Sequence, residues 1–251
     1  MKIISWNVNG LRSVSKKGFL AWLEKSAAEI VCLQETKIQE NQLDFFLLYP
    51  ADYPAYFSCA QKKGYSGVAV YSKVKPLSIK RKFGFKRFSI EGRFLELKYP
   101  EFTLINLYLP HGGRGKEKLD YKLEAYDQLI NYLKKIKNQK VVLVGDFNIA
   151  HREIDLARSK DNQKNIMFTP EERKQLDRLI NLGFIDSFRR FNKDGGHYSW
   201  WPYRLSARER NLGWRIDYVL VSRKLMPDLK NGFILDRVTG SDHCPVGIVT
   251  R

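Results

Sequence analysis

The sequence predicts an α/β fold built from mixed β-sheets with helices outside them. Three observations lead there. Short apolar runs rich in β-branched residues recur from end to end, at residues 2–8, 29–33, 67–72, 102–109, 140–144, 215–221 and 245–250, and all are of strand length. Helical periods separate several of them. The two kinds of segment alternate irregularly, which suits mixed sheets covered by helices rather than a regular βαβ series.

The helices are marked in different ways. Leu119, Leu123, Tyr126, Ile130 and Leu133 fall at i+3/i+4 steps, so one helix is expected with this stripe inward and its lysines on the opposite face. A second is bounded by its ends: Thr169 as N-cap, Pro170 at the first helical position, Glu172 closing a capping box and Gly183 after the last turn. Two long segments have weak periodicity and read as functional loops, residues 149–169 and 195–213. The latter holds Trp200, Trp201, Tyr203, Arg204, Arg208 and Arg210, with Arg215 just after it. No repeat, linker or low-complexity stretch is evident, and residues 1–251 read as a single domain.

Composition narrows the function. With 251 residues, 43% hydrophobic and 13% aromatic, the chain buries a large core, and a disordered protein is excluded. No apolar run is long enough for a membrane span. The opening MKIISWNVNG lacks the apolar stretch of a signal peptide, so a cytoplasmic protein is expected. Cys32, Cys59 and Cys244 are widely spaced, and neither a disulfide scaffold nor a structural zinc is expected. The 44 Lys and Arg against 27 Asp and Glu give a net charge of +17, which suits a polyanionic partner, most often nucleic acid.

The chemistry collects where strands run out. Asn7 and Asn9 end the first run, and a period of two places them on one face. Glu35 follows the second run. Asp146 and Asn148 repeat the two-residue spacing at another strand end. Asp217 lies within a strand, on the face of Val219 and Val221, and a carboxylate there needs a partner. Asp242 and His243 precede the last strand, and His243 is a candidate for that partner. Taken singly, the asparagines read as turn formers, Asp146 as a turn aspartate and His243 as a satisfied core histidine. Together, acids, amides and one histidine at strand ends of a basic chain fit a carboxylate-bound Mg²⁺ acting on phosphate.

WNVNGLR at 6–12, LQETK at 33–37, YLPHGGRG at 108–115, GDFNIAHREIDL at 145–156, NLGWRIDY at 211–218 and GSDHCP at 240–245 resemble the exonuclease III/AP endonuclease family, the DNA-repair branch of the endonuclease/exonuclease/phosphatase superfamily. The motifs occur in order across essentially the whole chain. The resemblance implies a four-layer, DNase I-like α/β sandwich of two packed sheets with helices outside and the active site at one end. It implies a Mg²⁺-dependent phosphodiesterase, with Mn²⁺ as a substitute, that cuts on the 5′ side of abasic sites in duplex DNA. It also implies 3′→5′ exonuclease activity and trimming of blocked 3′ ends. A monomer is expected, associated with the nucleoid if the source is prokaryotic.

Residue by residue, Glu35 matches the main metal-binding glutamate, with Asn9, Asp242, Asp146 and Asn148 in the metal environment. Asn9 stands where some members carry Asp. Asn7 matches the residue that orients the catalytic aspartate, and Tyr108 the tyrosine beside the scissile phosphate. Asp146 and Asn148 match the pair that activates and positions water, and Asp217 and His243 a buried dyad. Arg12, Lys37, Tyr65, Arg114, Asn162 and Asn165 match residues that grip the DNA backbone. Trp200, Trp214 and Ile216 match a pocket for a flipped-out abasic sugar, with Trp200 where other members have Phe. Tyr203, Arg208 and His151 read as local structure. Two other readings are weighed: a superfamily phosphatase or phospholipase, which the NLGWRIDY segment and the charge disfavour, and a DNA-binding relative without catalysis, which would require a gap in the catalytic set.

Overall fold

The computed structural model describes residues 1–50 and 52–251. Twelve strands are present among them: β1 Lys2–Asn7, β2 Ile30–Gln34, β3 Ala55–Ser58, β4 Val68–Ser72, β5 Ser78–Lys80, β6 Phe94–Lys98, β7 Thr103–Tyr108, β8 Val141–Asp146, β9 Phe184–Asp186, β10 Asp217–Ser222, β11 Leu229–Ile234 and β12 Val246–Thr250. They form two six-stranded sheets, in the orders β11-β12-β1-β2-β4-β3 and β5-β6-β7-β8-β10-β9. Each sheet has one parallel pair at its centre, β1 with β2 and β7 with β8. All other neighbours are antiparallel. The two sheets thus share one strand pattern although the sequence shows no repeat.

Burial on both faces explains why the central strands read as unbroken apolar runs. Alternate residues point to opposite faces. Ile3, Ile30, Cys32, Val68 and Val70 meet Leu95, Leu104, Val142, Val144 and Val219 between the sheets. On the outside of the first sheet, Ile4, Trp6, Val31 and Tyr71 pack against Leu11, Val14, Phe19 and Leu23 of the helices Leu11–Lys16 and Phe19–Lys25. On the outside of the second, Ile105, Leu107, Leu143 and Leu220 pack against the helices Leu119–Lys134 and Pro170–Asn181. These are the four layers of the expected sandwich. The inter-sheet core also holds polar bridges: Gln34 Nε2 donates to Asn106 Oδ1 (2.7 Å), Asn106 Nδ2 to the Leu33 and Ala69 carbonyls (3.0 and 2.8 Å), and the Tyr99 hydroxyl to Ser72 Oγ (2.9 Å).

All seven apolar runs are strands, with ends shifted by one or two residues. The five further strands carry weaker signals. β5 is three residues long and exposed throughout, β6 interleaves Glu96 with its apolar residues, and β11 contains Asn231-Gly232.

The capping box at Thr169 and Glu172 forms as expected. The reading of the helix Leu119–Lys134 needs correcting. Its inward face is Tyr121, Lys122, Ala125, Tyr126, Leu129, Ile130 and Leu133, so one lysine lies inside. Lys122 is fully buried, and its ammonium donates to Glu172 Oε1 (2.5 Å), the Asn148 carbonyl (2.7 Å) and the His111 carbonyl (3.1 Å). Glu172 in turn accepts from the backbone N–H groups of Met167 and Thr169 (both 3.0 Å). Burial pulls the Lys122 pKa down, and Glu172 opposes the shift. The pair therefore ties both outer helices to two loops of the second sheet. Lys122→Ala leaves a buried carboxylate and two carbonyls without their donor. It is expected to cost about 3–5 kcal/mol, read by urea denaturation. A loss under about 1 kcal/mol would show that the pair is not holding these loops.

Candidate active site

The C-terminal ends of both parallel pairs meet at one end of the sandwich. β1 ends at Asn7, β2 runs into Glu35, β7 ends at Tyr108 and β8 at Asp146. β10 begins there with Asp217, in register with Asp146, and His243 precedes β12. At this end an amide joins the sheets: Asn7 Nδ2 donates to Glu35 Oε1 (2.8 Å) and to Asp146 Oδ2 (2.9 Å).

The two-residue spacings have a different origin from the one expected. Asn9 and Asn148 do not continue the strand faces. Each takes a left-handed backbone, with φ of 48° and 52°. Their N–H groups donate back to Asn7 Oδ1 (3.0 Å) and Asp146 Oδ1 (2.8 Å). These are Asx-type turns, in which a side chain two residues earlier caps the chain as it leaves the sheet. Glu35 is also left-handed, at φ 51°, although its side chain brings no turn-forming advantage. Such strain in a longer side chain persists where surrounding contacts fix it. Gly145 is obligatory for another reason. A Cβ there would lie 1.9 Å from the Leu107 carbonyl oxygen, so only glycine lets β8 pass β7 just before Asp146.

The buried dyad is present. His243 Nδ1 lies 2.9 Å from Asp217 Oδ2, which also accepts from Ser199 Oγ (2.6 Å). The other ring nitrogen, Nε2, is 4.0 Å from Asp146 Oδ2. Burial works against a charged imidazole, but Asp217 and then Asp146 and Asp242 hold the His243 pKa up to about 10. Burial also raises Asp146, and the charges of Asp217 and Glu35 add to it. His243 and the Asn7 amide pull the other way, leaving its pKa at about 8. Burial pushes Glu35 up too, yet Lys37 and Asn7 bring it below its usual value.

The oxygen donors suit a hard cation. The Lys37 ammonium sits 2.8 Å from Glu35 Oε2 and also donates to Asn9 Oδ1, so these two oxygens already converge on a positive group. One ligand atom each from Glu35, Asp146 and His243 fits within 4.8 Å. Of the three, the imidazole is the poor candidate, because it carries protons on both nitrogens through neutral pH. Asp242 stands further out. It accepts from Asn9 Nδ2 (2.9 Å) and Trp200 Nε1 (3.1 Å). Asn148 donates from its amide to the Leu109 carbonyl (2.9 Å).

Beside this cluster lies a cavity of about 650 Å³ lined by Arg114, Asn162, Asn165, Trp200, Trp214 and Asp242, among others. Five of the expected DNA-binding residues are thereby brought together. Ile216 departs from expectation. It is 1% exposed and packs with Leu156 and Phe168 behind the two tryptophans, because the alternation that turns Asp217 to the site turns Ile216 away. Lys37 lies within the acid cluster, Arg12 is exposed nearby on the first helix, and Tyr65 stands apart in a network with Arg93 and Glu91. Arg208 does hold local structure, through the Ser241, Asp236 and Val238 carbonyls, and His151 pairs with Asp177. Tyr203 instead stands 72% exposed at the cavity rim.

The sequence pattern of the endonuclease/exonuclease/phosphatase family matches residues 4–243. The chain belongs to this family. It is 46% identical over 252 residues to an exodeoxyribonuclease of Bacillus subtilis, with 99% of each chain covered. It is 42% identical to the DNA repair nuclease APEX1 of Danio rerio, covering 98% of this chain and 81% of the relative. Among solved structures, an AP endonuclease from Archaeoglobus fulgidus superposes with a TM-score of 0.91 at 29% identity, covering 100% of this chain and 99% of that one. A 3′ phosphatase from Neisseria bound to product DNA hairpin does so at 0.91 and 28%, with 100% and 99% covered.

Motif reading of this endonuclease/exonuclease/phosphatase domain missed several residues around the site. Ser199 orders Asp217 and accepts from the backbone N–H of Ile216 and Asp217 (both 3.1 Å). Arg93, 3% exposed, lies 4.5 Å over the Tyr108 ring and donates to its carbonyl (3.0 Å). His111 lines the cavity, with its pKa lowered by burial and by Lys122 behind it. A serine, an arginine before a strand and a histidine in a loop carry no distinctive spacing, although EGR at 91–93 does place two charges where a strand begins.

The pair geometry has a direct readout. In histidine NMR, His243 is expected to lose its proton only near pH 10, and Asp217→Asn to lower that titration, since the largest opposing charge is then gone and only Asp146 and Asp242 act against burial. Because the folded pKa is raised, the dyad's stabilisation is complete below pH 6.5 and lost as pH rises through about 10. A neutral His243 at pH 7 in the unmodified protein would contradict this assignment.

Proposed function

We propose that this chain is a Mg²⁺-dependent DNA-repair phosphodiesterase. It cleaves on the 5′ side of abasic sites in duplex DNA, and also removes nucleotides and blocking groups from 3′ ends. The observation that carries the reading is Asp146. Its carboxylate is held between Asn7 (2.9 Å), the Asn148 N–H (2.8 Å) and cationic His243 (4.0 Å). It also stands beside a cavity walled by two tryptophans.

Hydrolysis forms a bond from a water oxygen to phosphorus and breaks the bond from phosphorus to the 3′ oxygen. The 3′ oxygen leaves with the bonding electron pair and takes a proton from solvent, so the products are a 3′ hydroxyl and a 5′ phosphate. Asp146 accepts the proton of the attacking water, and Asn148, fixed by the Leu109 carbonyl, positions that water. His243 cannot accept a proton while cationic. Its Nε2–H instead stabilises the charge that builds on the phosphoryl oxygens, and Asp217 holds the ring through Nδ1. Tyr108, kept protonated by burial and the Glu35 charge, donates its hydroxyl to the same phosphate. Glu35 and Asn9, with Asp242 behind Asn9, would hold Mg²⁺. Bound there, Mg²⁺ supplies positive charge for the non-bridging oxygens and the leaving oxygen. The abasic sugar, lacking its base, enters between Trp200 and Trp214, and an intact nucleotide is excluded by bulk. Arg12, Arg114, Asn162, Asn165 and Tyr65 hold the flanking backbone. The protein acts as a monomer in the cytoplasm, on DNA with abasic sites or blocked 3′ ends.

Incubation with a duplex carrying one abasic analogue is expected to give a single cut in Mg²⁺, with a 3′ hydroxyl end, and none in EDTA. An uncut duplex in Mg²⁺ overturns the reading. Asp146→Asn is expected to lower the single-turnover rate by about 10²–10⁴-fold. Glu35→Ala is expected to raise the Mg²⁺ needed for half-maximal rate. An unchanged Mg²⁺ requirement removes Glu35 from the ion.

The rate should rise with pH as Asp146 ionises, its pKa standing at about 8, and fall as His243 deprotonates near 10. A cation at Glu35 moves the rising limb to lower pH. In Asp217→Asn the falling limb should move into the neutral range, so activity lost at pH 7–8 returns partly on acidification. An Asp217→Asn enzyme that instead gains activity as pH rises through neutrality would make neutral His243 the base.

A further inference from the structure

The charge of the chain is unevenly placed. Residues 53–90 contain nine Lys and Arg and not one of the 27 acids. The topology divides these cations between the two ends of the sandwich. β5 is antiparallel to β6, and β6 to β7, so β5 runs in the direction of β7 and ends where Tyr108 stands. The connection that follows, with Arg81, Lys82, Lys86 and Arg87, therefore lies at the active-site end. So does the loop joining β3 to β4, which carries Lys62 and Lys63, because Ser58 pairs with Val68 and Lys37 N–H reaches the Ser66 carbonyl there (2.8 Å).

The two segments touch. Gln61 N–H donates to the Ile90 carbonyl (2.9 Å), and a Cβ on Gly92 would lie 2.5 Å from the Cys59 carbonyl carbon. All six cations are exposed. Arg87 is engaged by Glu91 (3.1 Å) and Arg81 by the Phe57 carbonyl (2.6 Å). Among the described residues, no carboxylate lies within ion-pair distance of Lys62, Lys63, Lys82 or Lys86. Glu91, the acid that directly follows this stretch, is turned inward to Arg93 (2.5 Å) and Tyr121 (2.9 Å).

We propose that Lys62, Lys63, Lys82 and Lys86 form a second backbone-binding surface that follows a duplex arm away from the cut. The inference rests on the function proposed above. It is distinct from the cavity of Arg114, Trp200 and Trp214, which none of these lysines line. Continuity fixes the partner as the DNA already engaged. Lys62 Nζ stands 5.5 Å over the Tyr65 ring, the Tyr65 hydroxyl accepts from Arg93 Nη2 (2.8 Å), and Arg93 lies over Tyr108. The patch thus begins at the wall of the site and leads outward. Its lysines are unpaired point charges on loops and a short helix, which suits phosphate without base readout.

The test is the salt dependence of binding to an abasic-analogue duplex with long arms, compared with one cut back to the minimal site. The variant carries Lys62→Gln, Lys63→Gln, Lys82→Gln and Lys86→Gln. On the long duplex, the slope of log affinity against log salt is expected to fall by about 2–4 in the variant, near 0.9 for each phosphate that is no longer neutralised. On the minimal duplex the two proteins should have matching slopes. The single-turnover rate at saturating enzyme should match as well, which also reports that the variant is folded. A slope unchanged on the long duplex, or reduced equally on both, overturns the inference while leaving the proposed function standing. A wild-type protein that neither binds nor cuts the abasic duplex overturns both.

Discussion

The structure turns on the Asn7 side chain. Its amide spans from the first sheet to the second, and it meets Glu35 on one side and Asp146 on the other. The aliphatic contacts between the two sheets carry no direction of their own, so directional groups such as Gln34, Asn106 and Asn7 fix the register. A buried amide with both hydrogens used on carboxylates has one good position. It thereby fixes β1 against β8 at this end of the sandwich, and with them the separation of Glu35 from Asp146. The same amide's oxygen caps the turn at Asn9, so it also sets how the chain leaves β1.

Around that amide the site is a balance of burial and charge. Asp146, Asp217 and His243 are each at most 4% exposed, and a lone carboxylate in such a place would be protonated. Asp217 directs its negative charge at His243 and so makes a cation that faces Asp146 through the other nitrogen. Two carboxylates and one imidazolium leave a net negative centre. Glu35 then adds a further negative charge, at the spot where a positive group already sits on it. Burial first, and then this excess, drive Asp146 up, and a bound cation would relieve the second of them. The Lys37 ammonium occupies this role in part, as an internal counter-ion within reach of Asn9 as well.

Much of this was legible in the sequence. The central strands announced themselves because burial on both faces leaves no room for polar residues. The acids and amides stood out because they interrupt those runs at their ends. Edge strands were not legible, since a strand such as Ser78–Lys80, exposed at every residue, has no hydrophobic pattern to read. Lys122 was misassigned for a related reason. Charge predicts exposure only while no partner is near, and its partner, Glu172, lies 50 residues away in the chain. Ile216 matches the family's sugar pocket by motif, and here it lies buried in the cluster against which Trp200 and Trp214 pack. Pairing with distant backbone, as for Ser199 and Arg93, leaves no local trace.

The pairing of β1 with β12 has a consequence for the newly made protein. Ser241 Oγ donates to the Asn7 carbonyl across 234 residues of chain, and Trp6 Nε1 to the His243 carbonyl. β1 and β12 are neighbours in the first sheet although they lie at opposite ends of the described residues. Contacts this remote in sequence form late and slowly. A partly translated chain therefore holds Glu35 and Asp146 but lacks the imidazolium that the geometry requires. Closure of the first sheet by β12 is thus what completes the Asp217–His243 pair, and a chain without that strand keeps the acids of the site but not their counter-charge.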